Sequence, residues 1–416
     1  MTMTTPASTG IGAPGTAPAP ANLGRSPMSS QPAPAAAIPF TRGSTLATMR
    51  DATRTYTAGQ QDQISLQTNA YLEALIFDVT LTTAGNSAAV AFAADSPWQV
   101  ISQIKLDDPA GQSIIAPITG YQLYTLNKYL PDTECAFDPK GDPGYYATTG
   151  TGATGGSFGF RLVLPIEHRR RDALGALNNS AANQRYLVTI NVIPTFATLY
   201  TTAPTTAAAN LTVQFYQEYW TSPPATITTS QGASQVQASP SGLGTVAFVR
   251  YERHNEVSGG GQPQIQLNNV GDYLSSLIFT LRTSATGARD ISPVGTNAAG
   301  TPTTTSFNWP SEFDWWVNDF QVHALSNTQW YRDNARFYGY RNPIETAFGL
   351  DNGVWPLYQL AQLFDTSVNY GPANQYLPTD ATTKLQVRGS TWGSGSSYLE
   401  ILSRLIRPVS GAALFA

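Results

Sequence analysis

The chain has 416 residues with a formal net charge of −4, and 12% of its residues are charged. Its length allows two or three domains with cores of their own, and the weak negative charge gives no sign of general nucleic-acid binding. The low charge, the 20 Tyr and the 8 Trp favour a surface packed against copies of the same chain, since interfaces are poor in charge and rich in aromatic residues. Many extracellular β proteins are also rich in Thr and poor in charge, which is the alternative interpretation.

The N-terminal segment has a composition of its own. Residues 1–40 contain eight Pro, nine Ala and no acidic residue, and they show no periodicity. Such a segment cannot bury enough apolar surface to offset the entropy of ordering it. We therefore predict a flexible arm over residues 1–56.

The arm is also cationic, because residues 1–50 contain no Asp or Glu. Polybasic segments lie favourably against anionic lipid headgroups, so three interpretations stand: a contact with membrane lipid, a contact with neighbouring subunits, or an untethered tail. Leu46 and Met49 among the arginines predict a short helix over 42–54 with an apolar and a cationic side. The candidate contact residues are Arg25, Arg42, Arg50 and Arg54.

A long repeat follows the arm. Residues 71–77 return 202 positions later as residues 273–279, with five of seven residues identical. Apolar residues alternate with others along both copies, which is typical of a strand with one buried face. The period is that of a whole domain, far above the roughly 20–50 residues of a solenoid repeat. The sequence therefore predicts one β-domain present twice.

Both halves have the same plan of short strands separated by turn-forming clusters, which predicts antiparallel sandwiches or barrels. We expect a first domain over 57–222, an uncharged linker over 223–244, a second domain over 245–409 and a small apolar tail over 410–416. The predicted strands lie near 63–67, 71–82, 98–106, 159–166, 186–193 and 211–220, and near 246–252, 264–268, 273–283, 313–323, 384–388 and 397–406.

The sequence contains three further local patterns. Two short helices are predicted from apolar spacing, one at Leu123, Leu126 and Leu130 and one at Leu357, Leu360 and Phe364. A second match, residues 182–187 against 373–377, is offset by about 190 and is interpreted as part of the same duplication.

Residues that could carry chemistry are few. Cys135 is the single cysteine, so no intrachain disulfide is expected, and none of the three histidines is spaced as a metal ligand. The G-x-S-x-G pattern at 155–159 leads into a predicted strand, whereas a nucleophile elbow leads into a helix. Asp107 and Asp108 precede Pro-Ala-Gly and predict a hairpin turn. We predict no enzyme activity, no catalytic residue, no metal and no cofactor.

The densest charge run lies at residues 167–172. One interpretation is a solvated loop, and the other is an intersubunit or polyanion contact. The candidate intersubunit residues are Glu167, Arg169, Arg170 and Arg171.

No charged segment followed by an apolar run begins the chain, and no apolar stretch reaches 18 residues. We therefore expect neither a signal peptide nor a membrane span, and folding in a cytoplasm.

Two tandem eight-stranded sandwiches with a flexible arm resemble the double jelly-roll major capsid proteins of tailless viruses with an internal membrane, in particular tectivirus-like bacteriophages. The resemblance covers roughly residues 57–409. It rests on the duplicated strand at 71–77 and 273–279, and on the aromatic, apolar strand that follows each copy, at 98–107 and 313–323.

The resemblance implies an all-β double jelly roll that forms homotrimers. These trimers would be pseudo-hexagonal capsomers paving an icosahedral virion shell, assembled in the host cytoplasm. It also implies neighbouring capsomers, penton and minor capsid proteins and internal membrane lipid as partners, with no specific nucleic acid. Loops 138–157 and 284–305 would face outward, and the arm with its arginines would face inward.

A different class of function fits the same β plan. A two-domain receptor- or glycan-binding module would also consist of paired sandwiches, but it should show a clustered aromatic and carboxylate site or a fibre-like segment. A glycan hydrolase needs two carboxylates across a cleft, and the acids here are scattered.

Overall fold

A computed structural model gives the architecture of the chain. The structure describes residues 39–407 except 85, 130–137, 169–172, 229–233, 237–238, 241–243, 258–263, 268–271, 284–286, 288, 290–309, 311, 327–328, 330–353, 358–376, 381 and 390–396.

The described part of the first half holds two α-helices and thirteen strands. They are α1 (Phe40–Gly43), β1 (Leu46–Tyr56), β2 (Gln61–Ser65), β3 (Tyr71–Leu81), β4 (Asn86–Phe92), β5 (Ile101–Asp107), β6 (Ser113–Ile118), α2 (Gly120–Lys128), β7 (Tyr146–Ala147), β8 (Gly150–Gly152), β9 (Phe158–Pro165), β10 (Leu177–Asn178), β11 (Leu187–Val192), β12 (Tyr200–Thr202) and β13 (Leu211–Trp220).

The second half begins with a small hairpin. Its strands are β14 (Thr226–Thr228), β15 (Ser234–Val236), β16 (Val246–Val257), β17 (Gln264–Gln266), β18 (Tyr273–Thr283), β19 (Glu312–Val317), β20 (Phe320–Ser326), β21 (Val354–Leu357), β22 (Leu377–Pro378), β23 (Leu385–Gly389) and β24 (Ser397–Arg407).

Each half is a sandwich of two four-stranded sheets with the same strand order. In the first half the sheets run β1-β13-β3-β9 and β2-β11-β5-β6, with the short β7 added beside β9. In the second half they run β16-β24-β18-β21 and β17-β23-β19-β20. Alternate apolar side chains of the facing sheets form the core. The predicted duplication is therefore present strand by strand.

The repeated phenylalanines occupy equivalent positions. Phe77 pairs with Phe215 in the neighbouring strand and Phe279 pairs with Ile401, and both phenylalanines are fully buried. Even the irregularities repeat, since a β-bulge interrupts the pairing of β3 with β13 at Glu73 and that of β18 with β24 at Ser275. These two residues are also 202 positions apart, so the bulge belongs to the duplicated unit.

The two sandwiches join through their sheets. β6, the last strand of a first-half sheet, pairs in parallel with β16, the first strand of a second-half sheet, at Ile115 and Val249. The result is one continuous sheet that extends through both halves.

The predicted arm is shorter than expected. Residues 46–56 form β1, which pairs along its whole length with β13 as an integral strand of the first sheet. The helix predicted over 42–54 is therefore wrong, because only residues 40–43 are helical. Leu46 and Met49 are an odd number of positions apart in the regularly paired part of β1, so they lie on opposite faces of the strand and not on one helix face.

Three other predictions differ from the structure. The strand predicted at 313–323 is a hairpin, β19 and β20, joined at Asn318 and Asp319, which both have positive φ. Leu357, predicted in a helix, ends strand β21, and Leu360 and Phe364 lie outside the described residues. Leu377 corresponds to Leu177 in β10 rather than to Leu187, so the second sequence match is not a structural repeat.

Two local predictions are confirmed. The helix predicted at Leu123 and Leu126 is α2, which begins with a capping box between Thr119 and Gln122, whereas Leu130 lies outside the described residues. Asp108 heads the β5–β6 hairpin, where its carboxylate accepts the backbone N–H of Gln112 at 2.7 Å.

Candidate functional site at the junction of the two sandwiches

The two sandwiches meet where the edge strand β6 lies beside the edge strand β16. Beside the Ile115–Val249 pair, the Arg250 guanidinium on β16 donates to the carbonyl oxygen of Ser113 on β6 at 2.9 Å. Ile115 is fully buried and Val249 nearly so. The edge of each sheet is thus covered by the other half, which removes two exposed strand edges.

A buried ion cluster fixes the same junction from one side. Asp95, from the loop after β4, accepts from Arg282 of β18 at 2.5 Å and from Arg289 at 3.0 Å. Arg282 also donates to Glu400 of β24 at 2.6 Å. Asp95 is 1% exposed, so its charge depends on these arginines for compensation. The cluster connects the first sandwich to the second.

The electrostatics of the cluster follow from burial and charge. Burial alone would lower the pKa of Arg282, but the charges of Asp95 and Glu400 outweigh it and raise that pKa above its ordinary value. Burial, and then the charge of Glu400, raise the pKa of Tyr251, whose hydroxyl donates to Glu400 at 3.1 Å. Arg282 also lies 5.6 Å from the ring centre of Tyr121 on α2. Arg282 therefore stays charged, and the phenol of Tyr251 stays neutral, at ordinary pH.

A second buried contact joins the halves at the charge run. The Trp220 indole donates to the Glu167 carboxylate at 2.8 Å, and the Arg404 guanidinium of β24 donates to the Glu167 carbonyl at 3.0 Å. Glu167 is 5% exposed and His168 is fully buried. The carboxylate predicted to contact another subunit is therefore engaged within its own chain. Arg169, Arg170 and Arg171 lie outside the described residues.

The described arm arginines lie on the surface. Arg42 is exposed at the end of α1, and Arg50 and Arg54 are exposed on β1. Arg50 donates to Thr53, and Arg54 is 3.6 Å from Asp62. Arg25 lies outside the described residues.

The bulge in β1 separates two of these charges. Arg50 pairs with Tyr216 and Arg54 pairs with the buried Val213, and paired residues share a face of the sheet. Tyr216 and Val213 lie on opposite faces of β13 because they are an odd number of positions apart. Arg50 and Arg54 therefore do not form one cationic face.

A cleft lies beside the junction. It has a volume of about 550 Å³ and lies between the tip of the β5–β6 hairpin, the loop around Tyr186 and the start of β16. Asp108 and Gln112 line it on one side and Phe248 on the other. Its mixed aromatic and polar lining makes it the candidate ligand cleft of the described residues.

The pattern at 155–159 has no catalytic geometry. Ser157 precedes strand β9 directly, and its hydroxyl accepts the backbone N–H of Thr83 at 2.9 Å. The serine thus fixes a loop and does not lie on an elbow. Among the described residues no group of three or more His, Cys, Asp or Glu could hold a metal ion. Within the same residues, no helix has the length and apolarity to cross a membrane.

Sequence reasoning missed the ion cluster. Asp95 and Arg282 are 187 positions apart, and only folding brings them together. One signal was available: Arg282 stands in the second copy of the repeated strand where the first copy has Thr80. A charge gained on an otherwise apolar strand needs a partner.

No protein-family profile matches the chain, and no curated protein sequence matches it significantly. Solved structures do. The crystal structure of the STIV MCP is 12% identical, covers 89% of this chain and 99% of its own, and has a TM-score of 0.59. A quasi-atomic model of the PBCV-1 virus capsid is 10% identical, covers 87% and 93%, and has a TM-score of 0.54. The Faustovirus major capsid protein is 9% identical, covers 88% and 90%, and has a TM-score of 0.50.

These likenesses extend over nearly the whole of each chain at very low identity. Together with the duplicated strand order, they confirm the predicted fold class: the chain is a double jelly roll.

Proposed function

We propose that the chain is a major capsid protein that forms homotrimers and paves an icosahedral virion shell. The observation that carries the proposal is the edge-to-edge junction of two equivalent jelly rolls, built by β6, β16 and the ion cluster at Asp95. The solved structures with this fold are described as capsid proteins or virus capsids.

The duplicated fold and the low charge of the chain both suit a capsid subunit. Because each chain holds two equivalent rolls, three copies have the outline of a hexagon, and only three identical contacts between copies need to form. The low charge of the chain suits a surface that is largely covered in an assembly. A shell built in this way needs no catalytic site, cofactor or metal. Its partners would be neighbouring capsomers and other virion proteins, such as penton and minor capsid proteins.

The cationic segment before β1 suits an anionic partner on the inner face of the shell, such as internal membrane lipid. Residues 1–50 contain no acid, and Arg42 and Arg50 are exposed beside the start of the first sheet. A separate candidate for contact with another subunit is the basic run Arg169, Arg170 and Arg171.

Mass measurement tests the capsid proposal. Sedimentation of the purified chain at micromolar concentration should give trimers or larger shells. A stable monomer over the whole concentration range would overturn it.

The lipid contact has a separate test. Deleting residues 1–38 together with Arg42→Gln and Arg50→Gln removes Arg25 and the two exposed arginines named above and leaves the strand β1 in place, so trimers should persist while binding to anionic vesicles falls. Neutral vesicles are the matched control, and added salt should weaken binding to the anionic ones. Undiminished binding after the deletion, or no binding by the intact chain, would contradict the membrane role.

The alternative, a receptor- or glycan-binding module, has one feature in its favour. The cleft beside Tyr186 and Asp108 offers an aromatic ring and a carboxylate in a volume of about 550 Å³. Saturable binding of a glycan that is lost in Tyr186→Ala, by a chain that stays monomeric, would replace the capsid proposal with this one.

A further inference from the structure

The duplication supplies a template for a contact between copies. Within one chain, β6 of the first roll meets β16 of the second. The shared strand order makes β20 the counterpart of β6, and β1 the counterpart of β16. If the same kind of contact forms again, β20 at the far end of one chain meets β1 at the near end of another.

The pairing registers say which residues correspond. Ile115 of β6 pairs with Leu106, and His323 of β20 pairs with Trp315. Leu106 and Trp315 are in turn opposite Val188 and Val387, the equivalent valines of β11 and β23. His323 is therefore the counterpart of Ile115.

The residue of β1 that corresponds to Val249 of β16 follows from the same pairing registers. Val249 of β16 pairs with Arg404, and Thr48 of β1 pairs with Glu218. Arg404 and Glu218 lie opposite Ser276 and Ala74, which are 202 positions apart. Thr48 is therefore the counterpart of Val249.

Neither counterpart strand pairs with a second described strand at its outer edge. Among the described residues, β20 pairs with β19 alone and β1 pairs with β13 alone. Phe320, Gln321 and Ala324 of β20 are exposed, as are Thr48 and Arg50 of β1. By contrast, Ile114 and Ile115 of the covered strand β6 are buried. Open edges of this kind are templates for strand pairing unless something covers them.

We propose that β20 of one copy lies parallel to β1 of a second copy, with His323 opposite Thr48. This inference rests on the proposed function and names the strands through which the trimer forms. The contact is head-to-tail, so it is repeated three times and closes the ring.

Phe320 gives this contact an apolar side chain at a position where the internal junction has a polar one. It is 72% exposed at the tip of the β19–β20 hairpin, and its counterpart at the tip of the β5–β6 hairpin is Gln112. Gln112 lines the cleft beside Phe248 at the internal junction. The counterpart of Phe248 in β1 is the smaller Ala47, so the contact between copies has room for the ring of Phe320.

The ion cluster is absent from the counterpart positions. Arg282 corresponds to Thr80 and Glu400 corresponds to Gln214, which are uncharged. The contact between copies therefore depends on strand pairing and on Phe320, and changes there leave the buried ions of the internal junction intact.

Disulfide trapping tests the register. Neighbouring strands lie about 4.8 Å apart, within the reach of a disulfide. In a Cys135→Ser background, which removes the single cysteine, the pair Thr48→Cys and His323→Cys should give covalent dimers and trimers under oxidation. The matched control is Thr53→Cys with His323→Cys. It places the β1 cysteine five positions further along the strand, about 16 Å away, and should give few covalent dimers or trimers.

The mass of the cysteine-free parent separates the two proposals. If the parent assembles but the two cysteine pairs cross-link equally or not at all, the strand contact is overturned and the capsid proposal stands. A link within one chain also overturns the contact. A parent that stays monomeric and does not cross-link overturns both.

A second variant tests the contribution of Phe320. Phe320→Gln copies the residue of the internal junction, and it should raise the concentration at which half of the trimer dissociates by at least about tenfold, as expected for losing one buried aromatic side chain. An unchanged dissociation midpoint would remove Phe320 from the contact.

Discussion

The ion cluster at the junction yields a prediction whose size can be worked out. Asp95→Asn removes one buried negative charge and leaves the arginines in place. Asp95 has φ of 65°, a left-handed conformation that Asn tolerates as well as Asp does, so the change adds little backbone strain. The effect on stability therefore reports the charge.

The magnitude follows from burial. Asp95 accepts from two guanidinium groups and is 1% exposed. Removing one partner of a buried ion pair costs about 3–5 kcal/mol, because the remaining charge is left uncompensated. Arg282 keeps its bond to Glu400, and the new amide oxygen still accepts one hydrogen bond. We therefore expect the lower end, a loss of about 3 kcal/mol in the free energy of unfolding.

The chain offers a matched control. Asp319 has φ of 62°, and its ion pair with Lys384 is exposed, with side chains 62% and 55% accessible. Asp319→Asn should cost less than about 1 kcal/mol. Both variants are compared with the parent by urea unfolding at one protein concentration, since assembly makes stability concentration-dependent. Equal losses for Asp95→Asn and Asp319→Asn would refute the view that the junction depends on buried charge.

Three further predictions concern single sites. Burial raises the pKa of Tyr200 to about 12 from 10.0, so the folded state holds the phenol proton more tightly than the unfolded state does. The contribution to stability should be full below pH 10 and should fall as the pH rises to about 12. Tyr200→Phe should make this decline of the urea midpoint with pH shallower, and an unchanged slope would contradict the prediction. Gly120→Ala would place a methyl group against the backbone carbonyl of Trp98 and should cost about 1–3 kcal/mol, whereas Gly141→Ala, which meets open space, should stay within about 0.5 kcal/mol in the same assay. Phe77→Ala and Phe279→Ala should each lower the free energy of unfolding by about 3–5 kcal/mol, and a small loss at either would contradict their equivalence as core positions.

The strands that the sequence predicted well are central strands whose core-facing positions are apolar at every second residue. Leu75, Phe77 and Val79 alternate with other residues because a pleated strand sends successive side chains to opposite sides. That signal is local, so it survives without any knowledge of the fold. The duplication was visible for the same reason, since the repeated strand packs into an equivalent core in each half.

The edge strands were harder to predict. Within the described part of the chain β1 has a neighbouring strand on one side alone, and it carries Arg50, Thr53 and Arg54, so it lacks the apolar alternation of a central strand. The turn at Asn318 and Asp319 was missed because apolar residues flank it on both sides. Both errors fall on strands with little buried surface, where burial leaves no periodic pattern in the sequence.

The junction could not be predicted at all from local pattern. Asp95, Arg282 and Glu400 come from three distant segments, and their proximity depends on how the two rolls pack. Glu167 shows the same limit, because its carboxylate accepts from Trp220 and its carbonyl accepts from Arg404 of the second roll, and both partners are distant in sequence. The intersubunit role of Arg169, Arg170 and Arg171 stays a prediction.

Imaging of assembled particles decides whether trimers of this chain build a capsid. If they do, the particles are closed shells tiled by hexagonal units, each with six similar jelly-roll densities and the mass of three chains. Particles of any other unit, such as a dimer or a true hexamer of chains, or a chain that never assembles under any condition of salt and concentration, would contradict the capsid proposal.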